Sequence, residues 1–399
     1  MFMKRHFLLN TIHVVVDGLY DSVPILLSFM VFSFGAGEKE AGGIISLANT
    51  VITFAGLWTI FFSRYLGLFS TFGLIVLMNG LGFLSIAFSP NLYLAGMCFI
   101  IGTAGFGVFH NLAFSFITAN SARRSLGKTM GDFTAIGDIG RIPLASLAGF
   151  LAAFSLFGLP GWRIVCFTYG LGAVLLAGYI WFSFQHENPE SIADDPATSM
   201  AGKFFPSFSL LRRRQYVLPI SASVLDAFGS NQVFVFLPFL LFDKGIDPKV
   251  IGAFALAFTV GCLVGKTALG RLVDKYGTRK VFILSELMMA VLLVILLLGN
   301  NIFIVVGASL LLGVVTKGTV PVIQTIITEP CSEKKEYGDI FSINSFSRGI
   351  ANMVTPLIFG FIASIAGIDY IFAIMAFFVV CAITPVLLMD VKHPAKEAA

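Results

Sequence analysis

Charge is scarce in this chain. Asp, Glu, Lys and Arg make up only 12% of its 399 residues, about half the share found in soluble domains. So few charges cannot clothe a chain of this size in water, which excludes a soluble globular protein. Cysteine is also sparse. Cys98, Cys166, Cys262, Cys331 and Cys381 show no metal-ligand spacing, and four of the five lie inside apolar runs. They read as small packing residues rather than a disulfide framework. The chain lacks a GxxxxGK[ST] phosphate loop, an HExxH pair, a nucleophile elbow and a TVGYG filter. These absences argue against ATP-driven work, metal or nucleophilic catalysis and a potassium-selective pore. The expectation is no enzyme, no cofactor and no bound metal. The net charge of +4 follows the gaps between apolar runs, so no nucleic-acid partner is expected.

What is abundant is apolar. Apolar residues are 57% of the chain, with 43 Phe, and the mean hydropathy is +0.90. They gather in about twelve runs of roughly twenty residues, each long enough to cross a ~30 Å hydrocarbon core as a helix. The predicted spans are 7–33, 42–62, 70–88, 91–118, 131–156, 163–185, 215–242, 249–272, 280–299, 302–328, 338–364 and 368–389. The first is too long for a signal-peptide core and carries Asp17 and Asp21, so it reads as a retained helix. An even number of spans puts both termini on one side. One set of gaps holds eighteen Lys and Arg residues, among them Lys4, Arg64, Arg123, Lys203, Arg271 and Lys392. The other set holds four, Lys39, Arg163, Lys244 and Lys249. The positive-inside rule therefore makes both termini cytoplasmic. The polar stretch 186–214 reads as a flexible cytoplasmic linker between units 1–185 and 215–399.

The two units align with each other. At an offset of 209, Asp17 in FLLNTIHVVVDGLYDSV falls on Asp226 in YVLPISASVLDAFGSNQ. At an offset of 207, Gly131-Asp132 falls on Gly338-Asp339, and Arg141 on Arg348. Two six-helix units that both start inside are parallel repeats, related by an axis along the membrane normal. The fold class is therefore an all-α polytopic membrane protein of twelve transmembrane helices.

Charges left inside the runs are the best functional clues, because hydrocarbon penalises them. His13, Asp17 and Asp21 stand at i, i+4 and i+8, on one helix face. Asp17 lies about eleven residues into its run, ~16 Å deep. A carboxylate there must meet water or a cation. Asp17, Asp21 and Asp226 are thus candidate proton-binding carboxylates; the plainer reading is structural carboxylates held by hydrogen bonds. Arg141 and Arg348 lie ~15 Å deep and stay charged, so each needs a partner. Asp138 is within pairing range of Arg141 at i−3. Arg348 has Ser345 at that place, so its partner is Asp17, Asp226 or an anionic solute. Lys317, in the middle of GVVTKGTVP, reads as a cavity residue. His110 and His13 are divided between a cavity role and packing. Lys266 is expected to snorkel to the nearby surface, and Glu286 to contact the loop 270–280. Asp132 and Asp339 read as helix N-caps. Pro24, Pro143, Pro321 and Pro356 mark points where helices bend.

The loop between the eighth and ninth spans reads GRLVDKYGTRK, residues 270–280. Gly270 is expected to let helices approach closely, and Asp274 to face a helix N-terminus. Lys275, Arg279 and Lys280 are expected at the anionic cytoplasmic leaflet. This loop, with the twelve spans and the linker, resembles the major facilitator superfamily. The resemblance implies a monomeric carrier, with Gly270, Arg271, Asp274, Lys275, Gly277, Arg279 and Lys280 as a latch that closes the cytoplasmic side. The matching first-half stretch TIFFSRYLGLF departs from it, with Thr59 for the Gly and Ser63 for the Asp. HVVVDGLYDSVP, and Phe109-His110 followed by a Ser/Ala-rich loop, are similar to the fosmidomycin-resistance type of bacterial exporter.

The expected function is secondary active transport across a bacterial inner membrane by alternating access. The cargo would be a small, partly anionic solute, exported in exchange for protons. His13, His110, Asp138, Arg141, Lys317 and Arg348 would face it. Proton-coupled uptake of an organic anion or metallophore is the alternative. A non-transporting sensor or assembly protein on the same fold is another.

Overall fold

The computed structural model describes residues 2–57, 65–120, 126–156, 158–184, 208–331 and 334–389. The expectations for Ser63, Arg64, Arg123, Arg124, Lys203 and Lys392, and for most of the linker, lie outside the described residues. The side chains of Asp132 and Asp339 lie outside them too, but the helices that hold these residues begin earlier, at Leu126 and Lys334, so the N-cap positions expected of both are corrected.

The first half contains α1 (Phe2–Ser33), α2 (Glu38–Leu57), α3 (Leu68–Ala87), α4 (Leu92–Thr103), α5 (Phe106–Asn120), α6 (Leu126–Ala152) and α7 (Gly161–Phe184). A small hairpin precedes α7, with Ser155 opposite Pro160 and Leu156 opposite Leu159. The second half contains α8 (Arg214–Ser230), α9 (Val233–Asp243), α10 (Ile251–Tyr276), α11 (Thr278–Leu298), α12 (Ile302–Thr328), α13 (Lys334–Ala366) and α14 (Ile368–Leu387). The span predicted at 302–328 coincides with α12, and the others agree to within a few residues where described. Two predicted continuous spans are broken instead. The fourth, 91–118, is interrupted between α4 and α5 at Ala104–Gly105. The seventh, 215–242, is interrupted between α8 and α9, where the polar run Gly229-Ser230-Asn231-Gln232 offers side chains that compete with the helical backbone.

Among the described residues, ten helical stretches are long and apolar enough to cross a membrane. The remaining two crossings are α2, with Glu38, Lys39 and Glu40 at its start, and α6, with Asp138 and Arg141 inside it. The outer surface carries Phe182, Leu298 and Phe303, each more than three-quarters exposed. Water would penalise that belt; hydrocarbon accepts it.

Within each half, small residues bring helices together. α3 packs on α7, and a Cβ at Gly80 would sit 2.8 Å from the Val174 backbone nitrogen. α10 packs on α12, where a Cβ at Gly261 or Gly313 would sit 2.0 Å from a carbonyl oxygen of the facing helix. Such crossings admit no side chain, which is how apolar helices gain contact when lipid is as apolar as they are. Gly270 is not one of these places. Nothing lies within 4 Å of its would-be Cβ, so the close approach expected there is displaced along α10 to Gly261 and Gly265.

The halves meet along α2 with α13 and α6 with α10. At the end opposite the N-terminus the fit is tight. A Cβ at Gly42 would lie 2.1 Å from the Pro356 carbonyl oxygen, and one at Gly149 would lie 2.7 Å from Gly252 Cα. Phe29 and Phe32 of α1 meet Phe239 and Phe242 of α9 there, with ring centroids 5.0–5.8 Å apart.

Candidate functional site

α1 delivers His13, Asp17 and Asp21 on one face, and α6 faces them. The glycines of α6 permit the approach. A Cβ at Gly137 would lie 2.5 Å from the His13 ring and 2.9 Å from Asp17 Oδ2, and one at Gly140 would lie 2.7 Å from Val14 Cα. Arg141, one residue on, therefore reaches across. Its Nη2 lies 2.9 Å from Asp17 Oδ2, its Nε 2.9 Å from Asp21 Oδ2 and its Nη1 2.9 Å from Asp138 Oδ1. The rigid guanidinium fork holds three carboxylates at once. His13 Nε2 and His110 Nε2 each lie 3.2 Å from the Asp17 carboxylate. His13 stacks on Phe133 with centroids 4.0 Å apart, so it is both a packing residue and an Asp17 partner. His110 Nδ1 sits 3.1 Å from the Phe106 carbonyl.

Three carboxylates require three cations. Arg141 is the first. Lys266 of α10 is the second: its ammonium bonds Asp138 Oδ2 from the opposite half. The snorkelling expected of Lys266 is thus corrected, because its ammonium is bonded to a buried carboxylate. Lys317 of α12 is the third. It acts on Asp21 electrostatically, yet among the described residues it makes no salt bridge or hydrogen bond.

The second half repeats the arrangement. Arg348 Nη1 lies 2.7 Å from Asp226 Oδ2, as Arg141 lies against Asp17. Arg348 also donates to the Ser223 carbonyl at 2.7 Å and to Asn231 Oδ1 at 3.2 Å. Asn231 donates to Asn352 Oδ1 at 2.6 Å, Asn49 donates to the Asn352 carbonyl at 3.0 Å, and Tyr20 donates to Asn49 Oδ1 at 2.8 Å. This polar chain runs from Arg348 across the interface of α2 and α13 to Tyr20, the neighbour of Asp21 on α1. Glu286 of α11 lies against Asp226 with Arg348 beyond it. Its expected contact with the loop 270–280 is thereby corrected, since its helical phase turns it inward to α8.

Between the halves lies a cavity of about 370 Å³, lined by Asp21, Asp138, Arg141, Lys317 and Arg348 together with Tyr20, Asn49 and Cys262. That volume suits one small solute or roughly a dozen waters. Asp17, His110 and Asp226 stand behind this wall, touching lining residues, and His13 lies one step further back, against Asp17 and His110. His13, Asp17 and His110 place ligand atoms within 4.8 Å of one another, close enough for a metal ion. The Arg141 guanidinium, 2.9 Å from the same carboxylate, already supplies the positive charge there, so the donor set fits a metal poorly.

Among the described residues, the expected latch residues make their contacts within their own half. Arg279 donates to the Leu387 carbonyl at 2.7 Å and to that of Met389 at 3.2 Å, and Lys275 stands 5.1 Å from the Tyr276 ring centroid. Asp274 is exposed and, among the described residues, without an ion pair. The helix N-terminus expected beside it is not engaged. Gly277 adopts φ 84°, a left-handed turn that lets α11 start at once after α10. Among the described residues, Gly270, Arg271 and Lys280 add no further tie.

The Major Facilitator Superfamily family model matches residues 219–399. Solved structures extend the likeness to the whole chain. A D-xylose-proton symporter superposes with a TM-score of 0.76 at 16% identity, covering 98% of both chains. The fold is that of the major facilitator superfamily. A bacterial homolog of the human lysosomal transporter Spinster, in an inward-facing and occupied conformation, gives 0.75 at 13%, again over 98% of both chains. The nucleoside transporter NupG gives 0.75 at 14%, over 96% of this chain and 98% of its own. At these identities the likeness is one of fold. No curated protein matches the sequence.

Asn49, Asn231, Asn352 and Tyr20 went unnoticed in the sequence because they are uncharged. The available signal was their depth: amides inside apolar runs need partners almost as charges do.

Proposed function

We propose that this chain is a secondary active transporter that carries a small solute with an anionic group through the cavity between its halves, by alternating access coupled to protons. Units 1–185 and 215–399 are the rocking bodies, and 186–214 is their tether. The observation that carries this reading is Lys317. It faces a 370 Å³ cavity as the one cation of the cluster without a carboxylate in contact among the described residues. A carboxylate or phosphate of the cargo completes its pairing and excludes water from the contact. The halves are closed at the end opposite the N-terminus, where Gly42 meets Pro356 and Gly149 meets Gly252. With both termini in the cytoplasm of a bacterial inner membrane, this is an inward-facing arrangement. The latch of Gly270, Arg271, Asp274, Lys275, Gly277, Arg279 and Lys280 is then open, in keeping with its contacts to its own half.

Asp17, Asp21 and Asp226 are the carboxylates through which proton binding acts. His13, His110, Asp138, Arg141 and Arg348 set their charge and position. We take export as the direction, on the resemblance of helix 1 and of Phe109-His110 to fosmidomycin-resistance-type exporters. Uptake is the second reading, favoured by the similarity in fold to a D-xylose-proton symporter. The test is transport of candidate anionic solutes in proteoliposomes with an imposed pH gradient, for the wild type, Lys317→Gln and Asp17→Asn. Lys317→Gln is expected to weaken solute binding and Asp17→Asn to uncouple transport from the gradient. Transport that ignores the gradient in the wild type removes the coupling, and undiminished affinity in Lys317→Gln removes the assigned anion contact.

A further inference from the structure

Among the described residues, the second half holds a carboxyl pair with fewer cations than carboxylates, whereas the first-half carboxylates Asp17, Asp21 and Asp138 are bonded by Arg141 and Lys266. Asp226 and Glu286 are both fully buried, at 0% exposure. They lie against each other, and Arg348 is the cation that acts on both. Arg348 Nη1 occupies Asp226 Oδ2 at 2.7 Å. Asp226 Oδ1 and both oxygens of Glu286 receive no hydrogen from any described group. α10, α12 and α14 pack against α11, and among the described residues they bring no charged side chain to Glu286. Two carboxylates and one guanidinium sum to a net negative charge. In a site sealed from water, that charge and three acceptor oxygens without donors carry a large penalty. A single proton removes the first fault and most of the second. It makes the trio neutral, and it supplies the one donor that two facing carboxyls need to hydrogen-bond, as in any buried pair that cannot ionise together.

We infer that Asp226 and Glu286 share one proton and form a proton-binding site in the second half, with Arg348 as its fixed counter-charge. The site is within reach of the cavity. Arg348 lines the cavity and also holds Asn231, the first link of the chain through Asn352 to Asn49 and Tyr20. Loss of the proton strands a carboxylate against Asp226 and pulls on Arg348, so proton occupancy and the cavity wall are joined through one side chain. As a coupling site this rests on the transporter reading. As a proton site it stands without it.

The test is infrared difference spectroscopy of the detergent-purified full chain at neutral pH, in H2O and D2O. It needs neither cargo nor gradient, so it can fail while the transport assay succeeds, and the reverse. The wild type is expected to show a protonated-carboxyl stretch from a buried group. Glu286→Gln and Asp226→Asn are each expected to lose one carboxyl's worth of that band. Either substitution leaves one carboxylate for Arg348 and needs no proton. A wild-type spectrum without the band, or a band that survives either substitution, overturns the proposal. If the amide variants do not fold, Glu286→Asp keeps both carboxyls and must shift the band; an unmoved band overturns the proposal equally.

Discussion

Gly42 and Gly43 are neighbours on α2 with opposite surroundings. A Cβ at Gly42 would lie 2.1 Å from the Pro356 carbonyl oxygen and 3.0 Å from Gly360 Cα, whereas one at Gly43 meets nothing within 4 Å. Alanine at either position gains about 1 kcal/mol of helix propensity. That gain applies in every conformation of the carrier and cancels from the balance between them. The clash at Gly42 does not cancel, because it exists only while α2 and α13 are closed at this end. Overpacking of this kind costs about 1–3 kcal/mol, which shifts a two-state equilibrium by roughly 5- to 150-fold. Gly42→Ala should therefore drive the protein away from the arrangement described here, and Gly43→Ala should leave it in place. Cys262 lines the cavity and serves as a reporter once Cys98, Cys166, Cys331 and Cys381 are replaced. A membrane-impermeant maleimide added on the side opposite the termini should label Cys262 faster in Gly42→Ala, with Gly43→Ala matching the parent. Indistinguishable labelling of all three folded proteins would refute the idea that this glycine contact is the seal.

Other substitutions separate contacts from composition. Lys266→Met should lower thermal stability in detergent by about 1–3 kcal/mol, less than a wholly buried pair because Lys266 keeps some water. Adding Asp138→Asn should recover part of that loss, since without Lys266 the Asp138 carboxylate keeps only Arg141, which it shares with Asp17 and Asp21; a double variant no more stable than Lys266→Met defeats the pairing argument. Gly270→Ala should be tolerated. Gly313→Ala, whose Cβ would lie 2.0 Å from the Phe258 carbonyl, should destabilise by about 1–3 kcal/mol. Equal melting temperatures for these two would mean that α10 and α12 do not pack as described.

Much of the site was legible before any coordinates. The i, i+4, i+8 spacing of His13, Asp17 and Asp21 put them on one face, and the i−3 spacing of Asp138 and Arg141 made their pairing local. The two offsets matched Asp17 to Asp226 and Arg141 to Arg348, and the structure brings these residues into two equivalent ion pairs, of which the one between Arg141 and Asp17 was not foreseen. Arg348 was left with Asp17, Asp226 or an anionic solute as its partner, and Asp226 is the carboxylate it meets. What the chain determined by itself was therefore what lies within one helix or repeats between halves: crossing lengths, faces and the positions of costly charges. These follow from a fixed rise and turn per residue and from the penalty that hydrocarbon sets on charge. Tertiary structure alone decided which faces meet. Lys266 crosses to Asp138, Glu286 turns to Asp226, and Gly261 and Gly313 rather than Gly270 carry the close contact. Those choices depend on the rotation and tilt of whole helices, set by the sum of many weak packing contacts, and no local spacing encodes that sum.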